Sequence, residues 1–162
     1  MITVRPYRAA DSDACWDLFF RAVREGTAGI YDETQRQDWA PDWDPDAPDD
    51  GEDKLLAQAC WVSEKDNRIT GFMSLTREGY LDMAFVLPEV MGKGHAAAIY
   101  DQLLAHALTA RLPRLTVDAS HFSRRFLERR GWQVDDVEDF VSPSGVHFER
   151  FNMSLALASL PA

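Results

Sequence analysis

The segment Pro88-Glu89-Val90-Met91-Gly92-Lys93-Gly94-His95-Ala96 connects a β-favouring run to the most regular helical pattern in the chain. Residues 80–87 predict a strand, which stops at the proline because proline cannot donate to a sheet ladder. Residues 94–110 predict a helix, since their apolar side chains recur every fourth position. Gly92 and Gly94 therefore occupy a strand-to-helix turn.

This turn has the features of an anion site. Two glycines let the backbone turn with several main-chain N–H groups directed at one place, next to the positive end of the following helix. Lys93 adds a positive charge, so the site suits a pyrophosphate. The spacing matches neither the P-loop nor the dinucleotide fingerprint, which disfavours nucleotide hydrolysis and hydride transfer. Taken alone, a Gly-x-Gly at a helix start is equally explained by a plain tight turn.

The remaining patterns predict an α/β fold with a mixed, mostly antiparallel sheet flanked by helices, in the order β-α-α-β-β-β-α-β-α-β-β. In the first helix Cys15, Leu18, Phe19 and Ala22 fall at helical spacing. In the strand over 68–76 we expect Ile69 to share a face with Met73, opposite Phe72. Strands are expected at 3–6, 60–63, 68–76, 80–87, 115–119, 132–141 and 146–155, and helices at 12–26, 32–39, 53–59, 94–110 and 122–130.

Composition supports one globular domain over residues 1–162. Apolar residues make up 46% and charged residues 27% of the chain, and the net charge of −10 disfavours nucleic acid and anionic membranes as partners. The acidity is greatest in a predicted loop at about residues 40–53, where seven of the twelve residues from Asp42 to Asp53 are acidic. No export signal or long apolar run is evident, so we expect a cytoplasmic protein.

The spacing of the two cysteines does not indicate a disulfide framework. Cys15 and Cys60 are predicted to be small buried side chains rather than a disulfide. Because no His or Cys pairs fall at metal-ligand spacing, the sequence predicts no metal site. Oligomeric state is left open between a monomer and a homodimer.

The ordered elements resemble the GNAT superfamily of N-acetyltransferases over nearly the whole chain. In that family the helix after the fourth strand begins with Arg or Gln, two spacers, Gly, one spacer, then Gly or Ala. Here Gly94 and Ala96 match that pattern, whereas Met91 stands in place of Arg or Gln. The later segment 118–132, Asp-Ala-Ser-His-Phe-Ser-Arg-Arg-Phe-Leu-Glu-Arg-Arg-Gly-Trp, resembles the second cofactor motif and is most similar to the YafP-like branch.

The resemblance implies acetyl-CoA as cosubstrate and direct transfer of its acetyl group to a primary amine. Ser120 stands where many members have an Asn near the cofactor. Leu127 stands where many have a Tyr that protonates the leaving thiolate, which leucine cannot do. The resemblance also implies a set of cofactor-binding positions, with Ala84, Phe85 and Val86 supplying backbone groups to the acetyl and pantetheine part, and Gly92, Lys93, Gly94, His95, Ala96 and Ala97 holding the pyrophosphate.

Acetyl transfer to an amine needs a general base and a proton for the departing sulfur. Asp82 and Asp118 are candidate bases, because each lies on a strand leading toward the predicted cleft; a structural role such as pairing with arginine is the alternative for both. Tyr31 and Tyr80 are candidates for the missing thiolate acid.

The histidines do not indicate a single catalytic role. His121 could be a base or a surface residue that starts a helix, and His95 and His106 are predicted on helix surfaces. His147 and Glu149 share one face of the last strand, where they could contact the acceptor or simply be solvated.

The acceptor is predicted to be a cation. The acidic run 42–50 could attract it, with Trp39 or Trp43 offering an aromatic face, although a solvated acidic loop explains the same run. The alternative function is a catalytically inactive acyl-CoA-binding or interaction module, which the departures at Met91 and Leu127 would suit.

Overall fold

A computed structural model describes residues 1–42 and 53–158. The order of elements is the predicted one with one more helix before the second strand, a single turn that is shorter than the helix expected at 53–59. Most of the predicted acidic loop, residues 43–52 with Trp43, lies outside the described residues. The strands are β1 Thr3–Pro6, β2 Ala59–Lys65, β3 Arg68–Leu75, β4 Leu81–Val86, β5 Arg114–Ala119, β6 Gln133–Val141 and β7 His147–Ala156, and the helices are α1 Ser12–Arg24, α2 Glu33–Trp39, α3 Lys54–Ala57, α4 His95–Thr109 and α5 His121–Glu128.

The described strands form two antiparallel sheets where the sequence predicted one. Strands β1 to β4 pair in sequential order, and β7 lies between β5 and β6 in the second sheet. Within residues 1–42 and 53–158 the sheets meet at one parallel bridge between Tyr80 and Thr116, where the Thr116 N–H donates to the Gly79 carbonyl at 2.9 Å. Beyond this bridge no strand pairing of the described chain joins β4 to β5, so a gap opens between them toward their carboxyl ends.

The larger sheet carries apolar side chains on both faces. On one face α4 packs Ile99, Leu103 and Ala107 against β3 and the second sheet. On the other face α1 packs Cys15 and Leu18 against a cluster that includes Phe72. The helical spacing read from the sequence therefore identified the inward faces of both helices. No helix of the described chain is long and apolar enough to cross a membrane.

A β-bulge at Thr70 alters the register of β3. Ile69 pairs with Glu64 and Gly71 pairs with Ser63, which leaves Thr70 without a partner in the ladder. Ile69 consequently packs on the same side as Phe72. The expectation that Ile69 shares a face with Met73 is wrong, because the extra residue reverses the alternation.

Gly71 marks the closest approach of β3 to its neighbours. A Cβ at this position would lie 2.8 Å from Val86 Cγ1 and 3.0 Å from Ile99 Cδ1. We therefore expect Gly71→Ala to lower the free energy of unfolding by about 1–2 kcal/mol through overpacking, measured by urea denaturation. Gly29→Ala is the matched control, because nothing lies within 4 Å of a Cβ there. Equal stability of the two variants would contradict the close packing.

Candidate active site

The glycine turn before α4 is open. Gly92 and Gly94 have φ of +76° and +90°, a left-handed conformation that favours glycine. Nothing lies within 4 Å of a Cβ built at Gly92, and only Ile2 Cδ1 comes as near as 4.0 Å to one at Gly94. Within the described chain no acceptor receives the main-chain N–H groups of Gly92 and residues 94–97. These five donors lie in the turn and at the start of α4, and Lys93 is exposed beside them.

His95 is buried, whereas residues 91–94 of the turn are exposed. Its side chain is only 2% exposed, and its Nδ1 lies 2.7 Å from Thr70 Oγ1, at the β3 bulge. Thr70 in turn contacts Ser63 Oγ at 2.8 Å. Burial, helped by the charges of Lys65 and Lys93, lowers the pKa of the imidazole. The prediction of a surface histidine is therefore wrong, and only the main-chain N–H of His95 faces the turn.

A cleft of about 490 Å³ occupies the gap between β4 and β5. Helices α1 and α2 and the β6–β7 hairpin complete its walls. Residues predicted for catalysis and for the acetyl end of the cofactor line it, whereas Val86 and the glycine turn do not. The predicted residues in its lining are Tyr31, Trp39, Tyr80, Asp82, Ala84, Phe85, Asp118, Ser120 and Glu149.

A second bulge orients Asp82. Leu75 pairs with Leu81 and Ser74 pairs with Met83, so Asp82 is the extra residue. Its carboxylate Oδ2 receives the Lys54 ammonium at 3.0 Å and the Gln58 amide at 2.9 Å. No described residue donates to Oδ1. Asp82 therefore has one carboxylate oxygen available in the cleft.

Asp118 has both carboxylate oxygens engaged. Asn152 donates to Oδ1 at 2.6 Å, and the Tyr80 hydroxyl donates to Oδ2 at 3.0 Å. The expected arginine, Arg150, is more distant at 3.9 Å and bonds chiefly to Glu138 at 2.7 Å. Burial and the bond to Asp118 raise the pKa of Tyr80 to about 12. The Tyr80 hydroxyl proton is therefore directed at Asp118 and not into the cleft.

The chain is similar to known acetyltransferases in sequence and in fold. Residues 33–155 match the family model described as Acetyltransferase (GNAT) domain. This chain belongs to the GNAT acetyltransferase family. It is 31% identical over 156 residues to the uncharacterized N-acetyltransferase YafP of Escherichia coli K12, with 94% of each chain covered.

Solved structures agree with the assignment. A GCN5-related N-acetyltransferase from Rhodopseudomonas palustris is 26% identical and superimposes with a TM-score of 0.83, covering 96% of this chain and 95% of its own. The yncA protein of Salmonella typhimurium, solved with its cofactor acetyl-CoA, has a TM-score of 0.70 at 22% identity, covering 100% of this chain and 97% of its own. This GNAT protein is an acetyl-CoA-dependent acyltransferase of the YafP-like kind.

Tyr31 differs from Tyr80 in its hydrogen bonding. Its ring lines the cleft of this acetyltransferase, 5.6 Å from Trp39 and 6.3 Å from Phe148 between centroids. Its hydroxyl oxygen accepts the main-chain N–H of His121 at 3.1 Å, at the N-terminus of α5. Burial raises the pKa of Tyr31. The Ser120 side chain is hydrogen-bonded to the same hydroxyl, whereas the proton of Tyr80 is directed at Asp118.

The segment 118–132 has some residues in the cleft and others in the core. Ser120 caps α5 by accepting the Ser123 N–H at 3.2 Å and also lines the cleft. Leu127 is 1% exposed and packs in the core beside α4. In this chain the position of the usual tyrosine therefore faces the interior.

The other polar candidates form local pairs. His121 Nε2 lies 3.4 Å from Glu149, and His147 Nδ1 lies 3.0 Å from Asp139. His147 and Glu149 thus share a strand but have separate partners. Asp42 is paired with Arg24 at 3.2 Å. Across the parts of the chain that are described, no group of three or more His, Cys, Asp or Glu is placed to hold a metal.

Both cysteines are buried free thiols. Burial raises the pKa of Cys15 to about 12 and raises that of Cys60 as well. Neither has the thiolate character that a nucleophile needs.

Sequence reasoning missed three residues that hold the carboxylates of the site. Lys54 and Gln58 hold Asp82, but both precede β2 and no spacing in the sequence links them to β4. Asn152 holds Asp118 because the two residues are partners in the β5–β7 ladder, a register that the sequence does not give.

Proposed function

We propose that this acetyltransferase transfers the acetyl group of acetyl-CoA directly to a primary amine that is cationic at neutral pH. The observation that carries the proposal is Asp82, a carboxylate in the cleft with an oxygen free to receive a proton. The open turn at Gly92 and Gly94 and the gap beside β4 support the cofactor part of the proposal. Because Met91 and Leu127 depart from the family pattern, this activity has to be tested against a catalytically inactive acyl-CoA-binding module.

The cofactor would be held chiefly by main-chain groups. The free N–H groups of Gly92 and residues 94–97 suit its pyrophosphate, and Lys93 adds charge. The main chain of Ala84, Phe85 and Val86 lies on the edge of β4 that faces the gap, and Ser120 lines the same cleft. Acetyl-CoA supplies the acetyl group as a thioester.

We assign the general base to Asp82 rather than Asp118. The ammonium form of the acceptor first loses one proton to solvent and becomes a neutral amine. In the transfer itself the amine nitrogen gains a bond to the acetyl carbon, the carbon–sulfur bond breaks, one further proton leaves the nitrogen and one is taken up by sulfur, so that each turnover releases one net proton. Oδ1 of Asp82 can take the proton that leaves the nitrogen during transfer, directly or through one water. Asp118 instead orients Tyr80 and Asn152. Tyr31, whose hydroxyl is not bonded to a carboxylate as that of Tyr80 is, is the better source of the proton that sulfur takes up.

The charge of the cleft favours a cationic acceptor. Among the described residues, four acidic side chains line it against the two basic ones of Lys54 and Arg150. The acidic residues are Asp38, Asp82, Asp118 and Glu149. Their field draws an ammonium group toward the site and weakens as salt is added.

The test combines a binding and a turnover measurement. Saturating CoA, at about 100 times its Kd, is expected to stabilise the protein by about 2.7 kcal/mol through linkage. Acetyl-CoA with a panel of primary amines is expected to release free thiol, with rates that fall as ionic strength rises. Stabilisation by CoA without thiol release from any amine would favour the inactive module. Rates insensitive to ionic strength would contradict the cationic acceptor.

We also propose the cytoplasm as the compartment of this enzyme. Two free buried thiols are typical of proteins kept under reducing conditions. Acetyl-CoA and small amines are the only partners that the proposal requires.

A further inference from the structure

We infer that the acceptor amine carries an aromatic ring, which binds against an aromatic wall formed by Trp16, Phe19, Trp39 and Phe85. The inference rests on the proposed function, because it concerns the same cleft and the same reaction. It specifies the class of amine: a monocation with one flat apolar group on a short linker.

The wall is a continuous series of rings from three elements. Trp16 and Phe19 of α1 lie 5.8 Å apart, Phe19 lies 5.0 Å from Phe85 of β4, and Phe85 lies 6.0 Å from Trp39 of α2, all between ring centroids. Each contact is edge to face. All four residues line the cleft. Because edge-to-face pairs leave ring faces uncovered, the wall can accept a further ring in the same geometry.

The rings of the wall are only partly buried. Trp16 is 38% exposed, and Phe19, Trp39 and Phe85 are half-buried rather than enclosed in the core. The apolar positions Cys15 and Leu18 of the same helix are fully buried. The wall therefore holds apolar area that a ligand in the cleft would remove from water, and burying such area is favourable in proportion to its size.

The wall and the proposed base lie within reach of one small molecule. Phe85 follows Asp82 by three residues along β4, a distance of about 10 Å in an extended strand. The bulge places Asp82 beside Lys54 and Gln58, on the side of the sheet where Phe85 and Met83 pack. The cleft thus has a polar end at Asp82 and an apolar end at the wall. A short alkylamine would leave the wall uncovered.

The test compares 2-phenylethylamine with n-propylamine, which are both monocations with a primary amine. We expect kcat/KM to be about 30-fold higher for the aromatic amine, since only its ring covers the wall. Isothermal titration of the protein with the two amines is expected to show the same preference. Equal kcat/KM values for the two amines would overturn the inference while leaving the proposed function intact. Thiol release with neither amine nor any other of the panel would overturn both.

Two variants test whether the aromatic wall causes the preference for the aromatic amine. Phe19→Leu is expected to reduce the ratio of the two kcat/KM values by about tenfold, chiefly because the aromatic amine binds more weakly and its KM rises. Phe20→Leu is the matched control: Phe20 is the next residue on α1, lies under the Arg24 guanidinium at 4.7 Å and does not line the cleft. An unchanged ratio in Phe19→Leu, or an equal loss in Phe20→Leu, would contradict the wall. The comparison of amines with the unaltered protein decides the inference even if a variant folds poorly.

Discussion

Asp82→Asn is expected to lower kcat for acetyl transfer by about 10²–10³-fold and to leave the Kd for CoA unchanged. Asparagine retains an oxygen that can accept from Lys54 and Gln58, so the shape of the site is kept. Its amide cannot take the proton that the amine must lose. Free-thiol release measures kcat, and calorimetry with CoA measures the Kd.

Two further variants sharpen that experiment. Asp101→Asn removes an exposed carboxylate on α4, outside the cleft, and should leave both quantities unchanged. Asp118→Asn disturbs the partner of Tyr80 and Asn152 and tests the alternative base. Full turnover in Asp82→Asn together with loss in Asp118→Asn would move the assignment to Asp118.

Gly92→Asp is expected to weaken CoA binding by about 10- to 100-fold relative to Gly92→Asn. Aspartate and asparagine have nearly the same shape, and both tolerate the left-handed conformation that Gly92 adopts at φ +76°. Nothing lies within 4 Å of a Cβ there, so neither side chain disturbs the fold. Only aspartate places a negative charge where a diphosphate would bind, and like charges about 4 Å apart repel by about 1–4 kcal/mol, depending on solvent exposure.

Calorimetry at two salt concentrations checks this result. The difference between the two variants should be larger at low ionic strength, because an exposed charge is screened by salt. Unfolding midpoints of the two apoproteins should agree. Equal Kd values for CoA would mean that the pyrophosphate does not bind at this turn.

Local features of this chain were readable from the sequence because local chemistry determines them. Asp32 and Ser120 cap their helices through neighbours three residues away. The helix at 94–110 was predicted to within a residue at each end, since its spacing and its flanking glycine are contiguous signals. The turn at Gly92 and Gly94 was readable for the same reason.

The candidate site was only partly predictable. Tyr80, Asp82 and Asp118 do line one cleft, but which carboxylate keeps a free oxygen depends on Lys54, Gln58 and Asn152, which approach from other elements. Contacts between such distant segments cannot be deduced from composition or from the spacing of residues.

The order of elements, the inward faces of α1 and α4 and the glycine turn were determined by the sequence alone, because neighbours a few residues apart set them. The tertiary structure decided what depends on contacts between distant segments. The bulges at Thr70 and Asp82 reversed the alternation of two strands, His95 was buried against Thr70, and the rings of α1, α2 and β4 met in one wall. A one-residue change of register moves a side chain to the other face of a sheet, and only packing of the whole chain selects that register.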